Sequence, residues 1–127
     1  MPNPKKCFFI DDDEDDRDFF CAAMQTIDPK MECLFAKDGT DAMEQLNNTS
    51  IIPDYIFIDM NMPLMDGKQC LAAIKKIDRL KEVAVYIYST SGSPRLIEEI
   101  LNMGANEFLI KPTSMQALEH LLKEIVT

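Results

Sequence analysis

Six consecutive acids, Asp11, Asp12, Asp13, Glu14, Asp15 and Asp16, follow directly on three apolar residues in FFIDDDEDD. Further along, single polar residues also end apolar runs: Asp59 in IFIDMNMP, Ser89 and Thr90 in VYIYSTSG, and Lys111 in FLIKPT. Carboxylates gathered a few Å apart repel by roughly 3 kcal/mol per pair at an effective dielectric near 20. A bound divalent cation removes that cost, and an all-oxygen donor set without His or Cys suits Mg²⁺. Lys111 would add a fixed positive charge. A carboxylate surrounded by a metal, an ammonium and a hydroxyl is a place where a phosphoryl group can be carried, here on Asp59.

This chemistry requires that residues spread over 100 positions meet, so the elements between them decide the matter. Short apolar runs at 6–10, 31–36, 55–58, 83–88 and 107–110 read as strands. Helical patterns separate them. Phe19, Phe20, Ala23, Met24 and Ile27 make one face from Glu14 to Ile27. Asp38 or Thr40 can open a helix with Ala42, Met43 and Leu46. Another follows Asp66-Gly67 with Cys70, Leu71, Ile74 and Ile77. Ser93-Pro94 reads as N-cap and N1 of a helix that Gly104 ends. Thr113 with Gln116 can form a capping box for the last helix, on Met115, Leu118, Leu121, Leu122 and Ile125.

Five β-α units whose strands are apolar throughout imply a parallel sheet buried on both faces. Five are too few for a closed eight-strand barrel. The expected fold class is α/β: a flavodoxin-like (βα)5 doubly wound sheet in strand order 2-1-3-4-5 with helices on both faces. In that order strands 1 and 3 are neighbours and the winding reverses between them. Asp11, Asp12 and Asp59 then face one crevice at the carboxyl ends of the strands, with Ser89 and Lys111 on the same edge.

The 127 residues are expected to form a single domain, 1–127, with its core over about 5–126. Composition is that of a globular protein, 46% hydrophobic and 28% charged. With 13 Lys and Arg against 22 Asp and Glu the net charge is −9, which disfavours direct nucleic acid binding and anionic membranes. No apolar stretch nears the roughly 20 residues of a membrane span, and Phe8–Ile10 is too short for a signal peptide. The expected location is cytoplasmic. Cys7, Cys21, Cys33 and Cys70 have no metal-like spacing and read as reduced core thiols. His120 has no partner for metal or base chemistry.

FIDDDEDD, IFIDMNMPLMDG, YIYSTSG and FLIKP, in this order and after the expected strands, resemble the receiver domain of two-component response regulators, the CheY-like fold. The resemblance spans essentially the whole chain, so a stand-alone receiver without an output domain is expected. It implies that Asp59 is the phospho-acceptor, and that Asp12, Asp59 and the backbone carbonyl of Asn61 bind Mg²⁺ directly. Asp11 would act mainly through a metal-bound water. Ser89 would hydrogen-bond the phosphoryl group and Lys111 would pair with its oxygen, with a cis Lys111–Pro112 bond. Phe108 occupies the switch aromatic position, where many members have Tyr. Met60 and Ser91 lie where the family tunes dephosphorylation. The implied partners are a sensor histidine kinase or a histidine phosphotransfer protein. A protein target of unknown identity would bind the face built by the fourth helix, fifth strand and last helix, residues 93–126. The domain would catalyse only its own phosphorylation and dephosphorylation.

Three other readings compete. An EF-hand loop from Asp11 fails because position 6 is Asp16 and position 12 is Ala22. A haloacid-dehalogenase-like phosphatase would use Asp11 and Asp13 as a DxD pair, but that motif usually continues with Thr or Val where this chain has Asp15, the reading leaves Asp59 unexplained, and after Lys111 only Glu119 and Glu124 remain, on a helix, where an acidic pair after a further strand is needed. A receiver-like module that binds partners without phosphorylation is the third. Asp13 to Asp16 read as first-turn acids favoured by the helix dipole rather than as ligands. Lys111→Ala is expected to leave folding nearly intact.

Overall fold

In a computed structural model, which describes residues 4–48 and 51–126, strands and helices alternate along the chain. The strands are β1 (Lys6–Ile10), β2 (Glu32–Ala36), β3 (Tyr55–Asp59), β4 (Ala84–Ser89) and β5 (Glu107–Ile110). The helices are α1 (Glu14–Ile27), α2 (Gly39–Asn48), α3 (Gly67–Lys75), α4 (Pro94–Asn102) and α5 (Met115–Ile125). The ends of the expected 1–127 span lie outside the described residues.

All five strands are parallel in the order β2-β1-β3-β4-β5, as the apolar runs implied. Alternation along each strand feeds two cores. Phe8, Ile10, Ile56, Ile58, Val85 and Ile87 pack towards Leu46, Leu71, Ile74 and Ile100 of α2, α3 and α4. Cys7, Phe9, Phe57, Tyr86 and Tyr88 pack towards Phe20, Met24, Leu118 and Leu122 of α1 and α5. The second core is largely aromatic: Phe9 stacks on Phe20 at a centroid distance of 4.1 Å, and Tyr88 meets both edge-on.

Local chemistry sets the helix ends. Asp13 caps α1 by accepting from Asp15 N, and Ser93 caps α4 with Pro94 in its first turn. Asp38 accepts from Asp41 N at the start of α2. Gly104 follows α4 with φ of +105°, the left-handed conformation glycine adopts freely.

Three expectations shift. α5 is capped by Ser114, whose Oγ accepts from Ala117 N at 3.1 Å, not by Thr113. The two hydroxyls are equivalent as caps, and Ser114 is the one with extended backbone one residue before the helix. Gln116 is then one position too early for a capping box; a box is present instead at α3, between Asp66 and Gln69. α3 ends at Lys75, before Ile77, and Asp78–Leu80 form a 3-10 turn. The thiols are also less uniformly interior than expected: all four are free, with Cys7 and Cys70 buried and Cys21 and Cys33 half-buried.

Candidate functional site

Parallel strands end at the same edge, so β1, β3, β4 and β5 deliver Asp11, Asp59, Ser89 and Lys111 to one place. Buried positions hold three of them: Asp11 is 0% exposed, Asp59 5% and Ser89 1%. Asp12 is exposed at the mouth. Carboxylate oxygens of Asp11, Asp12 and Asp59 lie within 4.8 Å of one another.

Lys111 partly offsets the charge of this cluster. Its Nζ is 3.0 Å from Asp59 Oδ1, 3.3 Å from Asp11 Oδ2 and 2.9 Å from Asp16 Oδ2. Its stem leaves β5 where Lys111 N donates to Ser89 O at 2.7 Å, and its ammonium lies 5.4 Å from the centre of the Tyr88 ring. Asp11 is further tied down, accepting from Asp13 N at 2.9 Å, while its carbonyl accepts from Arg17 Nη1 at 2.7 Å.

These surroundings set the charge states. Burial pushes Asp11 up to about 6, against the pull of the Asp13 N–H and Lys111. Burial also raises Asp59, opposed by its hydrogen bond to Lys111. For Lys111 burial acts downwards, but Asp16 and Asp59 outweigh it, and its ammonium stays charged above the ordinary lysine range. Burial pushes Tyr88 up to about 12, so its ring sits there as a neutral phenol.

Donor chemistry fits a hard cation. Octahedral Mg²⁺ with bonds of about 2.0–2.1 Å sets its oxygens about 3–4 Å apart, which the spacing of Asp11, Asp12 and Asp59 approaches. Asn61 follows two residues after Asp59, and its backbone N–H donates towards the Asp59 carboxylate. The loop that carries it is pinned at both ends. Gly67 N donates to Met60 O at 2.9 Å, and a side chain at Gly67 would come within 2.7 Å of Asp59 O. Between them Leu64 adopts φ of +68°, costly for a leucine, and is 89% exposed.

Ser89, at the end of β4, engages its hydroxyl within its own loop. Its hydroxyl donates to Ser91 O at 2.8 Å, and Ser91 N reaches back to Ser89 Oγ at 3.4 Å. The same loop continues to Gly92, over which the half-buried Phe108 ring packs so closely that a Cβ there would lie 2.7 Å from it. Phe108 is paired with Ile87 in the sheet, two residues before Ser89. The Lys111–Pro112 peptide is trans, not cis; trans is the isomer favoured for Xaa-Pro bonds in general.

Two residues of the site went beyond the sequence reading. Asp16 lies in the opening turn of α1, yet one helical turn past Asp12 it reaches Lys111. The signal was its spacing from the pair at the end of β1. Tyr88, read only as a strand residue, forms the floor under the ammonium; alternation along β4 puts it on the α1 and α5 face, opposite to Ser89.

Residues 7–123 match the family model of the response regulator receiver domain. The chain is 31% identical over 90 residues to the chemotaxis protein CheY of Pseudomonas aeruginosa, covering 71% of each. It is 36% identical over 94 residues, 72% of its length, to a protein-glutamate methylesterase/protein-glutamine glutaminase of Methanococcoides burtonii, of which it spans only 25%. Among solved structures it resembles the phosphorylated cyanobacterial phytochrome response regulator RcpA, with a TM-score of 0.86, 28% identity, and coverage of 96% of this chain and 91% of that one. The Mn²⁺-bound form of the response regulator Rcp1 gives 0.82, 27%, 96% and 91%. With these strands, this order and this match, the chain belongs to the response regulator receiver domain family, the signalling domain of two-component systems.

Proposed function

We propose that the chain accepts a phosphoryl group on Asp59 from a sensor histidine kinase or a histidine phosphotransfer protein, in a Mg²⁺-dependent reaction that changes its binding to a protein target. The observation that carries this reading is the contact of Lys111 Nζ with Asp11, Asp16 and Asp59 at the end of the sheet. An ammonium held there can pass from the Asp59 carboxylate to an oxygen of an arriving phosphoryl group without moving its stem.

Transfer breaks the phosphorus–nitrogen bond of a phosphohistidine and forms a phosphorus–oxygen bond to Asp59. Asp11, Asp12, Asp59 and the carbonyl of Asn61 would hold Mg²⁺, which when bound supplies positive charge against the phosphoryl oxygens. Asp11 would act mainly through a bound water, since its own oxygens already serve Asp13 N and Lys111.

Phosphorylation adds about −1.5 to −2 charge and three acceptor oxygens. Ser89 answers by releasing Ser91 O and donating to the phosphoryl group. That movement displaces the loop carrying Gly92, against which the Phe108 ring rests. The rearrangement reaches the α4-β5-α5 face, where Leu101 and Ile110 are 43% and 49% exposed. Coupling of this kind is typically worth about 1–3 kcal/mol. The target is a protein rather than nucleic acid, given the net charge of −9. The reading puts the protein in the cytoplasm; among the described residues no helix is long and apolar enough to cross a membrane.

A phosphatase of the DxD type is disfavoured because Asp13, its second acid, spends its carboxylate on the α1 cap. Incubation with acetyl phosphate and Mg²⁺ should add one phosphoryl mass, and beryllofluoride should bind. Both should vanish in Asp59→Asn and with excess chelator. A wild type that stays unmodified, or a modification that persists in Asp59→Asn, rejects the proposal.

A further inference from the structure

Three of the four thiols meet at the β2 edge of the sheet, away from the carboxylates. Cys7 on β1 and Cys33 on β2 are directly paired in register, so both side chains leave the sheet on the α1 face. Their sulphurs are 3.6 Å apart. Neighbouring strands lie about 4.8 Å apart, inside the range of about 4.4–6.8 Å between Cα atoms that a disulfide spans. A bond between them therefore needs side-chain rotation and little backbone movement.

The two sulphurs have different surroundings. Cys33 is half-buried and reachable by a small oxidant, whereas Cys7 is 0% exposed. Gln25 Nε2, from α1, donates to Cys33 Sγ at 3.6 Å, and the Cys21 thiol of the same helix also serves it as a donor. With Cys7 these donors hold the Cys33 thiol below its ordinary range, while Cys7 is pushed up. The thiolate is the reactive form, and the more accessible sulphur, that of Cys33, is also the one that receives the Gln25 donor.

We propose that Cys33 and Cys7 are a peroxide-reactive dithiol site, with Cys33 as the attacking sulphur and Cys7 as the resolving one. The Cys33 thiolate attacks a hydroperoxide oxygen; the O–O bond breaks, Cys33 becomes a sulfenic acid, and the alkoxide or hydroxide leaves and takes up a proton. The Cys7 sulphur then attacks that of Cys33. The S–O bond breaks, the S–S bond forms, and hydroxide departs with the Cys7 proton as water. The two thiols lose two electrons, and the hydroperoxide is reduced to an alcohol, or water, plus a further water. The bond staples β1 to β2 four residues before Asp11, and the proposal does not depend on phosphorylation.

Reduced protein treated with a slight excess of hydrogen peroxide should lose two of its four thiols within one chain. Peptide mapping without reductant should give a Cys7–Cys33 link that dithiothreitol reverses. Cys33 should react at least about tenfold faster than Cys70, a buried thiol. Cys33→Ser should abolish the link, and Cys7→Ala should leave a sulfenic acid on Cys33 that dimedone traps. Should Cys7→Ala not fold, the wild-type map decides alone. Retention of all four thiols, first reaction at Cys21 or Cys70, a Cys21–Cys33 link, or links only between chains would each overturn the proposal.

Discussion

Lys111 carries one positive charge against three carboxylates, two of them on buried residues. Read from the sequence, its loss should barely touch folding, because a lysine at a strand end is usually solvated. The geometry corrects this. The side chain is 13% exposed, and removing it leaves Asp11 and Asp59 facing each other without the ion-pair partner they share among the described residues. Leaving a buried charge unpaired is among the expensive single changes. Lys111→Ala should therefore lower unfolding free energy at neutral pH without Mg²⁺ by about 2–3 kcal/mol. Much of the loss should return when Mg²⁺ takes over the charge balance. Urea titrations with and without the ion measure both effects; a variant as stable as wild type without Mg²⁺ would show that the carboxylates do not need the ammonium. Asp16 contributes less, since its side chain is 40% exposed and solvent screens it.

At the scale of elements, the site depends on how closely the start of α3 approaches the end of β3. A methyl group on Gly67 would meet Asp59 O at 2.7 Å and Met60 Cα at 2.8 Å, both backbone atoms that cannot rotate aside. Gly67→Ala should push α3 away from the loop at Asp59 and cost about 1–3 kcal/mol, with weaker beryllofluoride binding as well. A thermal melt and a binding titration check the two together, and unchanged values in both would show that the loop yields freely. The strands and their order were legible because the apolar runs are short, β-rich and separated by helical periods. Asp11, Asp59 and Lys111 were legible because each ends such a run, and parallel strands bring their ends together. Three features were not. Periodicity carries no information on whether Ser89 points at the carboxylates or at Ser91 O. The left-handed turn at Leu64 is dictated by the loop's closure onto Gly67, not by leucine's preference. The turn of Asp16 into the site depends on where α1 starts relative to β1, a matter of a residue either way.

For the molecule as a whole, the cluster is a store of unfavourable charge, and pH should reveal it. Burial raises the Asp11 carboxyl from the usual 3.8 to about 6 and raises Asp59 in the same direction. The folded state thus holds protons that the unfolded chain has already released. Stability from these groups is present at low pH and is lost as pH rises through the folded-state value near 6 for Asp11. That shift corresponds to about 2–3 kcal/mol for Asp11. The protein without metal should accordingly melt higher near pH 5 than near pH 7.5. On the proposed reading Mg²⁺ would bind only the ionised carboxylates, so it should stabilise more at pH 7.5 than at pH 5, by about 2.7 kcal/mol at a hundredfold excess over its dissociation constant, and close the gap. Asp11→Asn should flatten the profile without metal while leaving the α1 cap at Asp13 in place. Calorimetry at the two pH values, with and without Mg²⁺, tests every part: an equal gain from Mg²⁺ at both would mean that the ion does not bind these carboxylates.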